Sequence, residues 1–244
     1  MRSYDDLAAT ALAELDRCRT ALRGADWSAP TPCEGWSVLE LANHLASFAW
    51  QQAEAFDRAR VGLTITPSHV DVAGDAIEVL DVVANKLRVL LPAVGALPGD
   101  TLVPIPAGTF PAQIAASILV FEYGIHRNDI ERSLGTGDAL DVDPVVAATV
   151  MELLPLGMLA RQAHPAVTPV AYRLVGDSAE AGLGWTGEGW SSEPEALTGA
   201  CTIGGSDVAV VLAALGRIPV THPALTVDDP NGIADQFERH FHGL

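Results

Sequence analysis

The stretch that decides the fold, residues 110–134, reads FPAQIAASILVFEYGIHRNDIERSL. At roughly 100° per residue, its apolar side chains fall on one face of a predicted amphipathic helix. That face holds Ile114, Ala115, Ile118, Leu119, Phe121 and Ile125. The opposite face, which we expect to be the polar side of the helix, holds Gln113, Tyr123, Arg127 and Glu131.

Three polar residues interrupt the apolar face. Glu122 falls near its middle, His126 lies beside it four residues later, and Asp129 follows one turn further on. Burying a carboxylate that has no partner costs a large amount of free energy. These polar residues therefore either interrupt the apolar face without a function or serve as ligands for a cation.

Spacing alone is weak evidence, because a Glu and a His four residues apart recur along the chain. The pairs are Glu40/His44, Glu122/His126 and Glu238/His242. Glu40 is better explained as the fourth residue of a capping box begun by Ser37. The third pair lies near the C-terminus, where helices fray and side chains are exposed. Only the second pair lies on a strongly apolar stripe.

Composition excludes several classes of function for these 244 residues. The net charge of −17 argues against binding to nucleic acid or to anionic membrane surfaces. Cys18, Cys33 and Cys201 are too far apart for a Cys-x-x-Cys motif and indicate no disulfide framework. The N-terminus lacks the basic start and apolar run of a signal peptide, and no apolar run is long enough to span a membrane. A cytoplasmic location is therefore expected.

Helical periodicity dominates the first two thirds of the chain. Amphipathic helices are predicted at 4–23, 37–60, 71–91 and 110–134, with a Pro- and Gly-rich loop at 92–109. Four such helices favour a four-helix bundle. A fifth helix is predicted at 144–163, beginning at Pro144 and kinked at Pro155.

The pattern changes at residues 164–169, which read HPAVTP and mark the predicted domain junction. Short strands are predicted at 170–175, 182–186 and 200–203. Ser206 caps a helix that ends near Leu215, and a last helix runs from residue 229 or 230 to 242. The predicted fold class is therefore mixed, with an all-helical domain at 1–163 and a small α+β domain at 169–244.

A third ligand would complete a metal site in the bundle. His44 lies at the margin of the apolar face of the second helix, and bundle cores build metal sites from inward-facing side chains. Two His and one Glu ligands with one open coordination position are typical of catalytic zinc sites. The zinc ion in such a site lowers the pKa of a bound water or thiol. Alternatively, Glu122 and His126 hydrogen-bond to each other and His44 has no special role. Asp129 could hydrogen-bond to His126 and orient it, or it could be a solvated residue near the helix end.

Three further features carry weaker hypotheses. Cys33 has no basic neighbour in sequence to lower its pKa, which argues against a nucleophile. Arg217 follows a helix stop and could clamp a carboxylate, or form an ordinary surface salt bridge. Trp27 and Trp36 flank a loop that could rim a pocket or cover the end of the bundle.

Two motifs resemble those of a known family. Residues 32–38, PCEGWSV, with LANHL at 41–45, and residues 122–130, EYGIHRNDI, resemble the signatures of mycothiol-dependent maleylpyruvate isomerase-like proteins. These are DinB-like four-helix bundles common in actinobacteria. The resemblance implies a divalent metal ion, with zinc as the expected metal, held by His44, Glu122 and His126. It also implies a sterol-carrier-like C-terminal domain that includes Gly216 and Arg217.

The resemblance also implies a function. Mycothiol would be the thiol cosubstrate, and its metal-bound thiolate would attack a small electrophilic substrate in an isomerase or S-transferase reaction. Arg217 would act as the catalytic clamp on a substrate carboxylate. Two alternatives remain open: a metal-dependent hydrolase that uses a bound water, and a non-catalytic protein that binds a small apolar ligand. The expected partners are the small substrate and mycothiol, with no nucleic acid and no membrane.

Overall fold

The computed structural model describes every residue except 1, 71, 73, 74, 157, 159, 161, 162, 193 and 242–244. The chain forms two compact units, Met1–Asp138 and Ala139–Leu244. Among the described residues, no helix is both long enough and apolar enough to cross a membrane.

The first unit is a four-helix bundle, as predicted. Its helices are α1 (Tyr4–Leu22), α2 (Val38–Arg60), α3 (Ala76–Gly95) and α4 (Ala112–Ser133). α1 packs against α3 and α4, and α2 also contacts both of these helices. The core between them is mainly apolar, with side chains such as Leu15, Leu45, Leu87 and Leu119 fully buried.

Local signals set the start of α2. The Ser37 Oγ accepts a hydrogen bond from the Glu40 backbone N–H, and the Glu40 carboxylate accepts one from the Ser37 backbone N–H at 2.6 Å. This is the predicted capping box, in which the Glu40 side chain caps the start of the helix. Of the pair Glu40 and His44, only His44, one turn further along α2, is therefore available for the candidate site.

The predicted loop at 92–109 is wrong in its second half. A β-hairpin forms there, with β1 at Leu102–Ile105 and β2 at Gly108–Pro111. Val103 and Ile105 on β1 are fully buried, so the hairpin covers part of the bundle. Its proline-rich sequence masked the strand pattern, because proline is normally confined to strand edges and ends.

The predicted polar face of α4 is also wrong. Tyr123 is fully buried and Arg127 is only 5% exposed, so the helix is enclosed on both sides. α1 covers the second side, and there the Arg127 Nε donates to the Glu14 carboxylate at 2.9 Å. A buried ion pair thus replaces the solvent contact that the sequence pattern indicated.

The second unit combines short helices with a five-stranded sheet. The helices are α5 (Pro144–Leu153), α6 (Asp207–Ala214) and α7 (Phe237–His240), and the strands are β3 (Ala171–Val175), β4 (Glu180–Trp185), β5 (Trp190–Ser191), β6 (Cys201–Gly205) and β7 (Leu225–Asp228). The strand order is β5-β4-β3-β6-β7, in which β3 and β6 are parallel and all other neighbours are antiparallel. The predicted class of helical bundle followed by a small α+β part is confirmed.

The boundary between the units differs from the predicted junction at 164–169. The structure divides the chain after Asp138, because the apolar side of α5 packs against α6 and so belongs to the second unit. The α-helix ends at Leu153, where a 3-10 turn, Leu154–Leu156, includes the Pro155 expected to kink it. The rest of the predicted fifth helix falls partly outside the described residues.

The last predicted helix is shorter than expected. β7 precedes it, and the Asp229 carboxylate accepts hydrogen bonds from the backbone N–H groups of Ile233 and Ala234, which makes a turn. Helical structure is then confined to a 3-10 turn, Ala234–Gln236, and to α7. The end predicted at residue 242 lies outside the described residues.

Candidate metal centre

The structure brings the three predicted metal ligands together inside the bundle. His44 reaches the site from α2, and Glu122 and His126 from successive turns of α4. The Glu122 Oε2 lies 3.3 Å from the His44 Nε2 and 3.5 Å from the His126 Nε2. The three ligand atoms all lie within 4.8 Å of one another. The spacing of four residues on α4 therefore points both side chains at one spot.

The donor set fits a divalent ion. Two ligands on a tetrahedral zinc ion, each about 2.0–2.1 Å from the metal, are separated by about 3.3 Å. Both separations from the Glu122 carboxylate are close to that value. Two imidazole nitrogens and one carboxylate oxygen also leave a fourth position for water or substrate, which is the pattern of catalytic zinc sites.

The site has one open side. The side chain of His126 is 4% exposed and that of Glu122 is 15% exposed, whereas that of His44 is 35% exposed. The Trp36 ring lies 5.1 Å from the His44 ring and the Phe48 ring lies 6.3 Å from it. Trp36 and Phe48 therefore flank the candidate site on the His44 side. A small molecule could approach from the His44 side.

The site is electrostatically prepared for a cation. Burial alone would raise the pKa of Glu122, but hydrogen bonds with His126 and His44 outweigh burial and lower that pKa to about 2. Burial would lower the pKa of His126, but Asp129, Cys33 and Glu122 together raise it well above its usual value. A carboxylate that stays ionised between two imidazoles favours positive charge at this position.

A second set of contacts lies behind His126. Its Nδ1 lies 3.0 Å from the Asp129 Oδ2, which confirms the expected orienting contact. The same carboxylate oxygen accepts a hydrogen bond from the Cys33 thiol, with 3.4 Å between the sulfur and the oxygen. Cys33, His126 and Asp129 are all buried, and their ligand atoms are also close enough to hold a metal ion.

The contact between Cys33 and Asp129 was not predicted from the sequence. Cys33 was considered only as a nucleophile, and the lack of a basic neighbour in sequence argued against that function. The available signal was its position in the PCEGW motif, four residues before the cap of α2. No local pattern could pair it with Asp129, since 96 residues separate the two.

Arg217, the predicted carboxylate clamp, lies in the second unit just after α6. It is 5% exposed, and its Nη1 donates to the Leu215 carbonyl oxygen at 2.8 Å. The expected alternative, an exposed surface salt bridge, is wrong, because the side chain is buried. Arg217 lines a hollow of about 350 Å³ together with Gly216, Ile218, Pro219, Glu238 and Phe241. A role in binding substrate stays a prediction.

Comparison with known protein families identifies the bundle. The model of the family described as the mycothiol maleylpyruvate isomerase N-terminal domain matches residues 8–131, which is most of the first unit. The chain belongs to this family. The match runs from within α1 to within α4 and includes all three proposed ligands, so the resemblance seen in the two motifs is confirmed.

Solved structures with the same fold extend the likeness beyond the matched region. Two crystal structures of a mycothiol-dependent maleylpyruvate isomerase, one of them of a histidine-to-alanine mutant, cover 93% of this chain and 96% of their own. Their TM-scores are 0.60 and 0.59, at 18% and 16% sequence identity. At this identity the likeness shows the fold alone. No curated protein matches the sequence significantly.

Proposed function

We propose that this chain is a mycothiol-dependent isomerase that uses a divalent metal ion, with zinc as the first expectation. The observation that carries the proposal is the convergence of His44, Glu122 and His126 in a member of this family. The solved relatives are described as mycothiol-dependent maleylpyruvate isomerases. Maleylpyruvate, a small unsaturated dicarboxylate, is therefore the first substrate to test.

The reaction needs a thiolate nucleophile. A divalent ion bound at this site would supply the thiol cosubstrate as its thiolate near neutral pH. The thiolate sulfur forms a bond to one carbon of the cis double bond, while the π electron pair moves onto the conjugated carbonyl oxygen. Rotation about the new single bond and reversal of the addition expel the thiolate and leave the trans double bond. Nothing is oxidised, and the thiol is regenerated.

The chain's own residues would position these reactants. The site is open to solvent on the side of His44, so the cosubstrate and the substrate would enter there. The rings of Trp36 and Phe48 flank that side and would limit the access of water to the thiolate. Such shielding would favour addition of the thiolate to the double bond over addition of water.

An activity assay with matched thiols tests this function. Zinc-loaded protein is incubated with maleylpyruvate and mycothiol, and formation of the trans isomer is followed; parallel reactions contain glutathione or no thiol. We expect turnover only with mycothiol. Equal consumption of maleylpyruvate without thiol, with no trans isomer formed, would support the hydrolase alternative. A protein that binds zinc and turns over neither this substrate nor related unsaturated acids would support the non-catalytic alternative.

Arg217→Ala tests whether the second unit contributes to substrate binding. A charge-assisted hydrogen bond to a substrate carboxylate is worth ~1.5–3 kcal/mol, so its loss is expected to lower kcat/KM by roughly ten- to a hundredfold. Zinc content should not change. Steady-state kinetics and elemental analysis of the same preparation measure both quantities.

The control is Arg239→Ala, which removes an exposed guanidinium from α7 in the same unit. Because Arg217 is buried, thermal unfolding of each variant shows whether a loss of turnover reflects a loss of fold. A folded Arg217→Ala protein that is as active as the wild type on acidic substrates would overturn the clamp role.

A further inference from the structure

The two nitrogens of His126 face two different carboxylates. The Nε2 lies 3.5 Å from Glu122 on the open side of the site, and the Nδ1 lies 3.0 Å from Asp129 on the buried side. Asp129 is fully buried, and Cys33, which donates its thiol hydrogen to the same Asp129 oxygen, is 1% exposed. Cys33, Asp129 and His126 therefore form a continuous hydrogen-bonded chain that ends at a proposed metal ligand.

These hydrogen bonds favour one tautomer of the His126 imidazole, the one with a proton on the Nδ1. The Asp129 Oδ2 accepts the thiol hydrogen of Cys33, and as an acceptor it pairs with a proton on the His126 Nδ1, 3.0 Å away. A metal ion would then displace the proton of the Nε2, whose lone pair faces Glu122 and the proposed ion. If the Nε2 kept its proton, His126 could not bind the metal.

Cys33 also links the two elements that supply the ligands. It lies in the loop before α2, where its carbonyl oxygen accepts a hydrogen bond from the Trp36 backbone N–H at 3.0 Å and its own N–H donates to the Thr31 Oγ1 at 3.2 Å. Trp36 in turn packs against His44. The thiol contact to Asp129 thus fastens the loop that borders His44 to the helix that carries Glu122 and His126.

The same three groups could instead hold a second ion, since their ligand atoms lie within 4.8 Å of one another. His126 would then bridge two metals and would have to lose both ring protons, and Cys33 would have to lose its thiol proton. The observed separations of 3.0 and 3.4 Å are satisfied by hydrogen bonds without any such loss. Hydrogen bonding is therefore the simpler account.

We propose that Asp129 and Cys33 are positioning residues, which hold His126 in the Nδ1-protonated form and direct its Nε2 at the metal. The inference rests on the metal site of the proposed function, but it concerns only ion binding and the state of one histidine. Its test therefore needs neither mycothiol nor a substrate.

The test measures zinc affinity by competition with a chromophoric chelator. Partners behind a ligating histidine are typically worth about ten- to a hundredfold in metal affinity, and we expect a loss in this range for Asp129→Asn. The amide can donate to the Nδ1 and so shift the proton to the Nε2. Cys33→Ala should cause a smaller loss, and Cys33→Ser should restore affinity because its hydroxyl can still donate to Asp129. Asp57→Asn, an exposed change on α2, is the matched control.

NMR spectroscopy of His126 distinguishes a loss of its positioning from a general loss of the fold. In zinc-loaded, 15N-histidine-labelled protein, the His126 Nδ1–H resonance should be present in the wild type and in Cys33→Ser, and lost or strongly shifted in Asp129→Asn. A folded Asp129→Asn protein with wild-type zinc affinity would overturn the proposal. So would a wild-type protein that binds two ions and loses one of them in Cys33→Ala. Absence of isomerase activity, with these affinities as expected, would count only against the proposed reaction.

Discussion

His126→Ala is expected to abolish tight binding of the divalent ion. The wild type should hold about one ion per chain, because three protein ligands with one open position make a mononuclear site. The variant keeps only His44 and Glu122, which come from different helices and lie 3.3 Å apart at their nearest ligand atoms. Elemental analysis after exhaustive dialysis should show near-complete loss. His44→Ala should lose both the metal and any turnover.

A matched histidine variant gives the control for this result. His69→Ala removes an exposed imidazole outside the site, so its metal content should equal that of the wild type. Full metal occupancy in His126→Ala, in a protein whose helical content is unchanged, would show that the ion binds elsewhere and that the assignment of the site is wrong.

Arg127→Ala is expected to cause a large loss of stability. The side chains of Arg127 and Glu14 are 6% and 2% exposed, and the guanidinium also pairs with Glu131. Removing one partner of a buried ion pair typically costs about 3–5 kcal/mol, because the other charge is left in the interior. Arg17 still contacts Glu14 at 2.7 Å from the surface, so we expect the lower end of this range. Urea unfolding followed by circular dichroism measures the change.

Two comparisons show whether burial is the cause. Arg60→Ala breaks an exposed pair with Asp57, and such pairs contribute about 0–1 kcal/mol. Glu14→Leu combined with Arg127→Met removes both buried charges and should recover much of the lost stability. If Arg127→Ala costs no more than Arg60→Ala, then burial of the Glu14–Arg127 pair does not make it more important for stability than an exposed pair.

The bundle helices could be predicted because their signals are local. A period of 3.6 residues, a cap such as Ser37 and a spacing of four residues between Glu122 and His126 are all properties of short segments. The same reasoning failed for the hairpin at 102–111. The prolines in this segment argue against a strand, and the hairpin is recognised only from its packing against the bundle. It also placed α5 with the bundle, because periodicity does not say which partner a helix packs against.

The sequence by itself therefore determined the four bundle helices and the fold class, and it placed the two candidate ligands of α4 on one face, since each of these follows from short-range patterns. Only the tertiary structure decided which distant side chains meet. His44 reaches Glu122 across 78 residues, Cys33 reaches Asp129 across 96, and Arg127 reaches Glu14 across 113. These contacts depend on which helices pack together and in what rotation. That arrangement is set by burial of apolar surface summed over the whole bundle, which no short segment contains.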